Sequence, residues 1–221
     1  MKLLLTSAGV KNASINDALV GLLGKPIAEA DALAIPTASY GHAPRGFHGS
    51  YRFLTGKATT PMLELGWKSV GLLEVSALTM LDKEVWVPVV EEADILLVNG
   101  GDALFLAHWL RQSGLAELVP SLGDTVWMGL SAGSMVMTPR IGEDFKVWEP
   151  PGGGDEALGI VDFSIFPHVD HPDLPENTMA AAEQWAAGLG NPAYAIDDDT
   201  AIQVVDGDVQ IVTEGHWQRF D

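Results

Sequence analysis

Short, wholly apolar runs alternate along the chain with segments in which apolar positions recur at helical spacing. Strands are predicted at residues 2–6, 32–36, 69–75, 95–98 and 126–130. A strand with apolar residues at every position is typical of a parallel sheet that is covered on both faces. The alternation of strand and helix therefore predicts the α/β class, with a doubly wound, mostly parallel sheet flanked by helices.

The last thirty residues change character. Residues 193–196, 201–205 and 209–212 are predicted as short strands, and Asp206-Gly207 is a turn signal between two of them. This pattern predicts a C-terminal β-hairpin. The chain has 221 residues without a linker or an internal repeat, so one domain is expected over residues 1–221.

The apolar run at 126–130 leads into Gly129-Leu-Ser131-Ala-Gly133, which fits the Gly-x-Ser-x-Gly nucleophile elbow. Glycines on both sides of a serine allow a strained, tight turn from a strand to a helix. The plainer interpretation is a turn without chemistry. As a nucleophile, Ser131 would need amide donors for an oxyanion.

Candidate donors for the oxyanion lie at two strand ends. The amide of Ala132 follows the serine directly, and Gly100 and Gly101 stand in an Asn-Gly-Gly-Asp turn after the predicted strand 95–98. Amide groups at a helix N-terminus favour negative charge. A turn capped by Asp102 would be compatible with the same role.

A serine nucleophile also needs a base and an orienting acid. His168 follows an apolar run, residues 160–166, which Pro167 is expected to end. The carboxyl end of a strand is where open α/β sheets place their chemistry. Between the serine and the histidine lies the pair Glu143-Asp144, which gives the order Ser, acid, His.

The amino-acid composition excludes some classes of binding partner and some kinds of chemistry. The formal net charge of −18 opposes binding to nucleic acid and to anionic membranes. The chain has no cysteine, which excludes disulfides and a thiolate nucleophile. The first residues are predicted as a strand rather than a signal peptide, so a cytoplasmic location is expected.

Neither a metal nor a cofactor is expected. The cluster of His168, Asp170 and His171 lacks a sensibly spaced fourth ligand for zinc. The acidic run at 197–199 lacks the ligand periodicity of a calcium loop and is predicted to be a solvated turn.

These motifs together resemble the peptidase E family of serine peptidases. The resemblance rests on Asn-Gly-Gly-Asp at 99–102, Leu-Ser-Ala-Gly-Ser at 130–134, Glu143-Asp144, Ala-Leu-Gly-Ile at 157–160 and Phe-Pro-His at 166–168. It implies a fold similar to class I glutamine amidotransferases and cleavage of short peptides without a metal.

The resemblance also implies roles for single residues. Ser131 matches the nucleophile, His168 the base, and Gly100 and Ala132 the oxyanion donors. Asp144 matches the acid best, and its neighbour Glu143 could substitute. Two further acids stay open: Asp170 lies where the related amidotransferases carry their acid, and Asp198 lies in the turn before the last strands.

One departure from the family concerns specificity. Members that release an N-terminal aspartate carry an arginine in the helix after the histidine, and here residues 175–185 contain none. Selectivity for an aspartyl substrate is therefore expected to be weak or absent. Arg45 or Arg52 could supply the charge, although each is expected to be a solvated surface residue.

The sequence thus predicts a serine peptidase that hydrolyses dipeptides or short peptides through an acyl-enzyme. An esterase of the α/β-hydrolase type is one alternative, since it shares the elbow. A non-catalytic module that binds a peptide or another small molecule is the other. The expected partner is a short peptide substrate, and a homodimer is left open.

Overall fold

The computed structural model of the protein describes residues 1–42 and 46–221 and contains ten strands in that part of the chain. They are β1 (Lys2–Thr6), β2 (Asp31–Ile35), β3 (Ser69–Leu72), β4 (Ile95–Val98), β5 (Val126–Leu130), β6 (Ser164–Phe166), β7 (Ala193–Ile196), β8 (Thr200–Val205), β9 (Asp208–Thr213) and β10 (Trp217–Phe220).

The strands form a large sheet and a small one. The seven-stranded sheet has the order β3-β2-β4-β5-β1-β8-β9, and its first five strands are parallel. Strands β8 and β9 extend it as an antiparallel pair. The three-stranded sheet has the order β10-β7-β6. The chain passes from the small sheet to the large one between β7 and β8.

Helices cover both faces of the large sheet. They are α1 (Ala13–Leu23), α2 (Gly46–Leu54), α3 (Val75–Leu78), α4 (Lys83–Glu91), α5 (Ala103–Ser113), α6 (Leu115–Leu118), α7 (Ala132–Met135) and α8 (Met179–Ala187). In the described part of the chain, none of them combines the length and the apolar character that crossing a membrane requires.

Alternate residues of the parallel strands enter two different cores. On β4, Leu96 and Val98 belong to the core shared with α3 to α6, whereas Ile95 and Leu97 belong to the core shared with α1. All four side chains are buried, which is why the strand has no polar position. The same alternation on the neighbouring strands explains the wholly apolar runs.

The predicted fold class is confirmed, including the C-terminal hairpin. That hairpin is formed by β8 and β9, and its turn residues Asp206 and Gly207 both have positive φ, 51° and 92°. Positive φ at both central positions matches the twist of the flanking strands.

Several predicted elements have different bounds. The predicted strand 69–75 stops at Leu72, because Glu74 caps α3 by accepting a hydrogen bond from the Ser76 amide. The predicted strand 160–166 is strand only from Ser164, because the amides of Ile160 and Val161 donate to the Met137 carbonyl instead. Strand β10 was not predicted.

The segment after β2 is rich in glycine, histidine and proline, and no helix was predicted in it, but it contains helical structure. A 3₁₀ helix spans Thr37–Gly41, and α2 follows at Gly46–Leu54. Phe53 of α2 is buried in the α1 core, which anchors the segment on the large sheet. Arg45, one of the two arginines considered for substrate recognition, lies outside the described residues.

Candidate active site

Ser131 occupies the turn between β5 and α7 with a strained backbone. Its φ and ψ are 50° and −112°, outside the regions that L residues ordinarily adopt. The Ser131 amide donates to the Thr6 carbonyl at 2.9 Å, which continues the pairing of β5 with β1 beyond the strand. The predicted elbow between strand and helix is therefore present, with the serine at its tip.

The two glycines around Ser131 are required by close backbone contacts. A Cβ on Gly129 would lie 2.4 Å from the Gly133 carbonyl oxygen, and a Cβ on Gly133 would lie 2.3 Å from that of Val98. Both distances are far below a van der Waals contact. Any side chain at either position would force α7 away from the ends of β4 and β5.

The amides predicted to bind an oxyanion lie beside Ser131. A Cβ on Gly100 would lie 3.3 Å from the Ser131 Cβ, so the two backbones are neighbours. Within residues 1–42 and 46–221, the amides of Gly100, Gly101 and Ala132 donate to no protein acceptor. They are thus available to a ligand, which supports the predicted role.

Asp102 holds the turn that carries the two glycines. Its carboxylate caps α5 by accepting from the Phe105 amide at 2.8 Å, and its other oxygen accepts from the Trp148 amide at 2.7 Å. Burial raises the pKa of Asp102, and these backbone hydrogen bonds oppose the rise. The carboxylate therefore fixes the segment after Asp144 against the start of α5.

His168 follows β6 and is held by its backbone. Its φ of 58° turns the chain directly after Pro167. The His168 amide donates to the Ser7 hydroxyl at 3.1 Å, and that hydroxyl donates to the Ile196 carbonyl at 3.1 Å. Ser7 thereby connects the end of β1 to β6 and β7. Apart from its place after a predicted strand, nothing in the sequence pattern marks this buried serine.

The carboxylate on His168 is that of Asp198. Its Oδ1 lies 2.6 Å from Nδ1 of His168, so Nδ1 carries the donated proton and Nε2 is left for other partners. Burial opposes the charge on Asp198, but the hydrogen bond from His168 and the charges of His168, His171 and Lys11 outweigh it. The net result is a pKa of Asp198 below the ordinary 3.8.

Asp144 and Glu143, the acids that the sequence favoured, make no hydrogen bond with His168 in the described part of the chain. Glu143 instead pairs with Lys146 at 3.1 Å. The physical reason is topological. The link from β7 to β8 returns beside the end of β6 and brings Asp198, one of the two further acids that the sequence left open, to the imidazole.

The acidic run at 197–199 is only in part the solvated turn that the sequence suggested, because Asp199 alone of the three is exposed. Asp197 is only 8% exposed and accepts hydrogen bonds from the Thr200 hydroxyl and the His216 amide. Asp170, the remaining alternative acid, pairs with Nε2 of His216 at 2.9 Å rather than with His168. These contacts fasten the loop after His168 to the C-terminal strands.

Two cavities meet at Ser131 and His168. The first, called the Arg52 cavity here, has a volume of about 360 Å³ and is also lined by Ser39, His42, Arg52, Asn99 and Gly100. The second, called the Asp144 cavity, has a volume of about 270 Å³ and is also lined by Met135, Asp144, Phe145, Leu174 and Asn177. A substrate bound across the serine would reach into both.

The titratable side chains next to His168 are arranged around one carboxylate, that of Asp198. Among the described residues, no three His, Asp or Glu side chains are grouped so that they could hold an ion. His168, Asp198 and His171 lie together, but each histidine faces the same carboxylate.

Comparison with known proteins shows to which family the chain belongs. The sequence profile of peptidase family S51 matches residues 3–212. The chain belongs to peptidase family S51. Peptidase E of Streptomyces coelicolor is 40% identical over 87 residues, which cover 38% of this chain and 35% of that protein. An uncharacterized peptidase of Pasteurella multocida is 27% identical over 129 residues, or 56% and 61% of the two chains.

Solved structures extend the similarity of this S51 chain to its whole length. A candidate peptidase E from Listeria monocytogenes has a TM-score of 0.69 at 19% identity and covers 97% of this chain and 98% of its own. A peptidase from an acI-B1 actinobacterium has a TM-score of 0.68 at 20% identity, over 99% and 93% of the two chains. At these identities the structures establish a shared fold.

Replacing Gly129 by alanine should destabilise this S51 protein. The added methyl group would overlap the Gly133 carbonyl, and relieving such overlap costs about 1–3 kcal/mol of unfolding free energy. Gly123→Ala is the matched control, because a Cβ there has no atom within 4 Å. Urea unfolding of both variants measures the difference, and equal stabilities would refute the close contact.

The hydrogen bond from His168 to the carboxylate of Asp198 should make stability depend on pH. A lowered pKa in the folded state stabilises the protein above the ordinary pKa of 3.8, and this contribution is lost as the pH falls through the folded value. The difference in unfolding free energy between the wild type and Asp198→Asn should therefore shrink as the pH falls below about 5 and toward the pKa of Asp198 in the folded protein. Asp162→Asn, at an exposed position, should show no such trend.

Proposed function

We propose that the protein is a serine peptidase that cleaves dipeptides or short peptides through an acyl-enzyme on Ser131. The observation that carries the proposal is the strained serine between free amides, in a cavity that it shares with a carboxylate-bound histidine. Membership of peptidase family S51 supports the peptide as substrate. The matched segments span 35% of the Streptomyces coelicolor protein and 61% of the Pasteurella multocida protein.

In the proposed mechanism, His168 removes the proton of the Ser131 hydroxyl while Oγ attacks the carbonyl carbon of the scissile bond. Asp198 accepts the hydrogen bond from Nδ1, which keeps Nε2 as the basic nitrogen and stabilises the imidazolium that forms. The amides of Ala132 and Gly100 donate to the developing oxyanion.

Collapse of the tetrahedral intermediate breaks the carbon–nitrogen bond, and His168 returns its proton to the leaving amine. Water then attacks the acyl-enzyme with His168 again as the base, which releases the second product and restores Ser131. Every proton taken up by the imidazole is returned within the cycle. No metal or cofactor has a step in this mechanism.

The order of the proposed triad along the chain argues against the esterase alternative. In α/β-hydrolases the acid lies between the nucleophile and the histidine. Here the carboxylate on His168 is Asp198, which follows the histidine, and the acids between Ser131 and His168 are not bonded to it. A catalytic module is also favoured over a purely binding one, because binding alone does not require the strain at Ser131.

Aspartyl substrates should not be preferred. The helix after His168, α8, has no arginine, and the Asp144 cavity contributes a negative charge of its own. An aspartyl side chain there would be unpaired beside a carboxylate, which is unfavourable. The homodimer, the cytoplasmic location and the absence of nucleic-acid binding stay predictions.

Replacing Ser131 by alanine should reduce peptide hydrolysis by about a thousandfold or more, because no other group on the turn can form the acyl-enzyme. The measurement is kcat on Asp-Leu, Ala-Leu and Leu-Leu with pure protein, with circular dichroism as the check on folding. Ala-Leu should be cleaved at least as well as Asp-Leu by the wild type. Activity of the Ser131→Ala variant near that of the wild type would exclude the proposed nucleophile.

Replacing the two candidate acids, Asp198 and Asp144, should have different effects on kcat. Asp198→Asn should lower kcat by about a thousandfold, since the amide no longer selects the required tautomer of His168. Asp144→Asn should leave kcat within about threefold, because Asp144 makes no hydrogen bond with the imidazole. Glu143→Gln is the control for the loss of one nearby charge. If Asp144→Asn instead gave the larger fall in kcat, the assignment of the acid would be reversed.

A further inference from the structure

The two cavities that meet at Ser131 carry opposite charges. Arg52 is the one arginine or lysine among the described residues that line the Arg52 cavity, and Asp144 is the one acid among those that line the Asp144 cavity. Both cavities include Ser131 and His168. A bond cleaved at Ser131 would therefore have a positive charge on one side and a negative charge on the other.

Arg52 has bonding capacity left for a ligand. Its Nε donates a long hydrogen bond of 3.4 Å to the Lys57 carbonyl. Within residues 1–42 and 46–221 its guanidinium forms no ion pair, although acidic residues outnumber lysine and arginine by 30 to 12. An arginine left without a carboxylate in so acidic a chain, and placed in the cavity of the nucleophile, is suited to bind an anion bidentately.

Asp144 supplies the negative charge in the second cavity, as Arg52 supplies the positive charge in the first. It is exposed, and in the same part of the chain no lysine or arginine pairs with it; the nearby Lys146 is taken by Glu143 and Glu149. The lining of the Asp144 cavity also includes the apolar side chains of Met135, Phe145 and Leu174. This combination suits an ammonium group next to a small or apolar side chain.

We propose that Arg52 and Asp144 recognise the two charged ends of a zwitterionic dipeptide. Asp144 binds the free α-ammonium of the residue that acylates Ser131, and Arg52 binds the free α-carboxylate of the leaving residue. This inference rests on the proposed peptidase function and assigns its substrate class: unblocked dipeptides with a neutral first side chain.

The polarity of the bound peptide follows from charge. In a dipeptide the ammonium belongs to the acyl half and the carboxylate to the leaving half, so each half has one favourable cavity. The reverse orientation would place like charges together, an arrangement that costs binding energy. A longer peptide would place a neutral amide at one end, and would leave either Arg52 or Asp144 without its partner.

The experiment compares Ala-Leu with two blocked forms, Ala-Leu-amide and N-acetyl-Ala-Leu, on the wild type and three variants. The wild type should show a kcat/KM for Ala-Leu about a hundredfold above that for either blocked form. Arg52→Gln should lower kcat/KM for Ala-Leu about tenfold or more, through KM, and leave Ala-Leu-amide unchanged. Asp144→Asn should likewise lower kcat/KM for Ala-Leu about tenfold or more, through KM. It should leave kcat/KM for N-acetyl-Ala-Leu unchanged, because that peptide has no free ammonium.

Arg219→Gln is the control for the change in net charge, because Arg219 lies on β10, outside both cavities, and pairs with Asp221. It should behave as the wild type with all three peptides. Asp-Leu-amide has a side-chain carboxylate but no free α-carboxylate, so it shows which of these two groups Arg52 binds. Rapid cleavage of this peptide that depends on Arg52 would show that the arginine binds an acidic side chain, and would overturn the proposed polarity.

The outcome separates this inference from the proposed function. Hydrolysis that depends on Ser131 but is equal for free and blocked peptides would refute the inference and retain the peptidase. If no peptide is hydrolysed, calorimetric titration of the Ser131→Ala variant decides the inference alone. Binding of Ala-Leu that is lost on amidation or acetylation would support it, and absence of binding would overturn it.

Discussion

The contact between the backbone of α7 and the ends of β4 and β5 is the constraint on which the site depends. Gly133 lies so close to Val98 that a Cβ would be 2.3 Å from the Val98 carbonyl oxygen. The indole of Trp127 reinforces the contact by donating to the Gly133 carbonyl at 2.9 Å. With both ends of the turn fixed in this way, Ser131 cannot relax from its strained φ and ψ without separating buried elements.

The same contact brings the nucleophile and the oxyanion donors together. Gly100 and Ala132 each lie two residues beyond the end of a strand, β4 and β5 respectively, so the spacing of two parallel strands sets the separation of their amides. Rigid strands give a more precise placement than free loops would. The free amides are tolerated because they lie at helix N-termini beside a cavity, where solvent or a ligand replaces the missing acceptor.

His168 follows β6 of the small sheet, so its placement relative to Ser131 requires a joint, that is, a fixed contact, between the two sheets. Ser7 supplies one such joint, because its buried hydroxyl bonds to the His168 amide and to the Ile196 carbonyl. The link between β7 and β8 supplies the other. This link carries the chain from the small sheet to the large one, and Asp198 lies within it. The carboxylate on the imidazole is thus part of the connection between the sheets.

The sequence predicted the features that depend on local pattern. Wholly apolar strands, the glycines around Ser131 and the turn at Asp206-Gly207 each follow from a steric or solvation requirement within a few residues. The acid on His168 depends instead on where the β7–β8 link returns in space, which no spacing along the chain records. The same holds for Ser7, whose partners are 161 and 189 residues away. Helix α2 was missed because glycine and histidine weaken its pattern, although Phe53 anchors it in the core.

The net charge of −18 affects which substrates reach the site, beyond the contacts made within it. A peptide with a net negative charge approaches against the summed field of the protein, whereas a neutral zwitterion does not. Salt screens this field beyond about 8 Å at physiological ionic strength, so the long-range effect acts mainly on the rate of association. Within the cavity screening is weaker, and a carboxylate there needs a cation in direct contact. The global charge and a single guanidinium at the nucleophile therefore act at different distances, and a substrate that is neutral overall but charged at both ends satisfies both conditions.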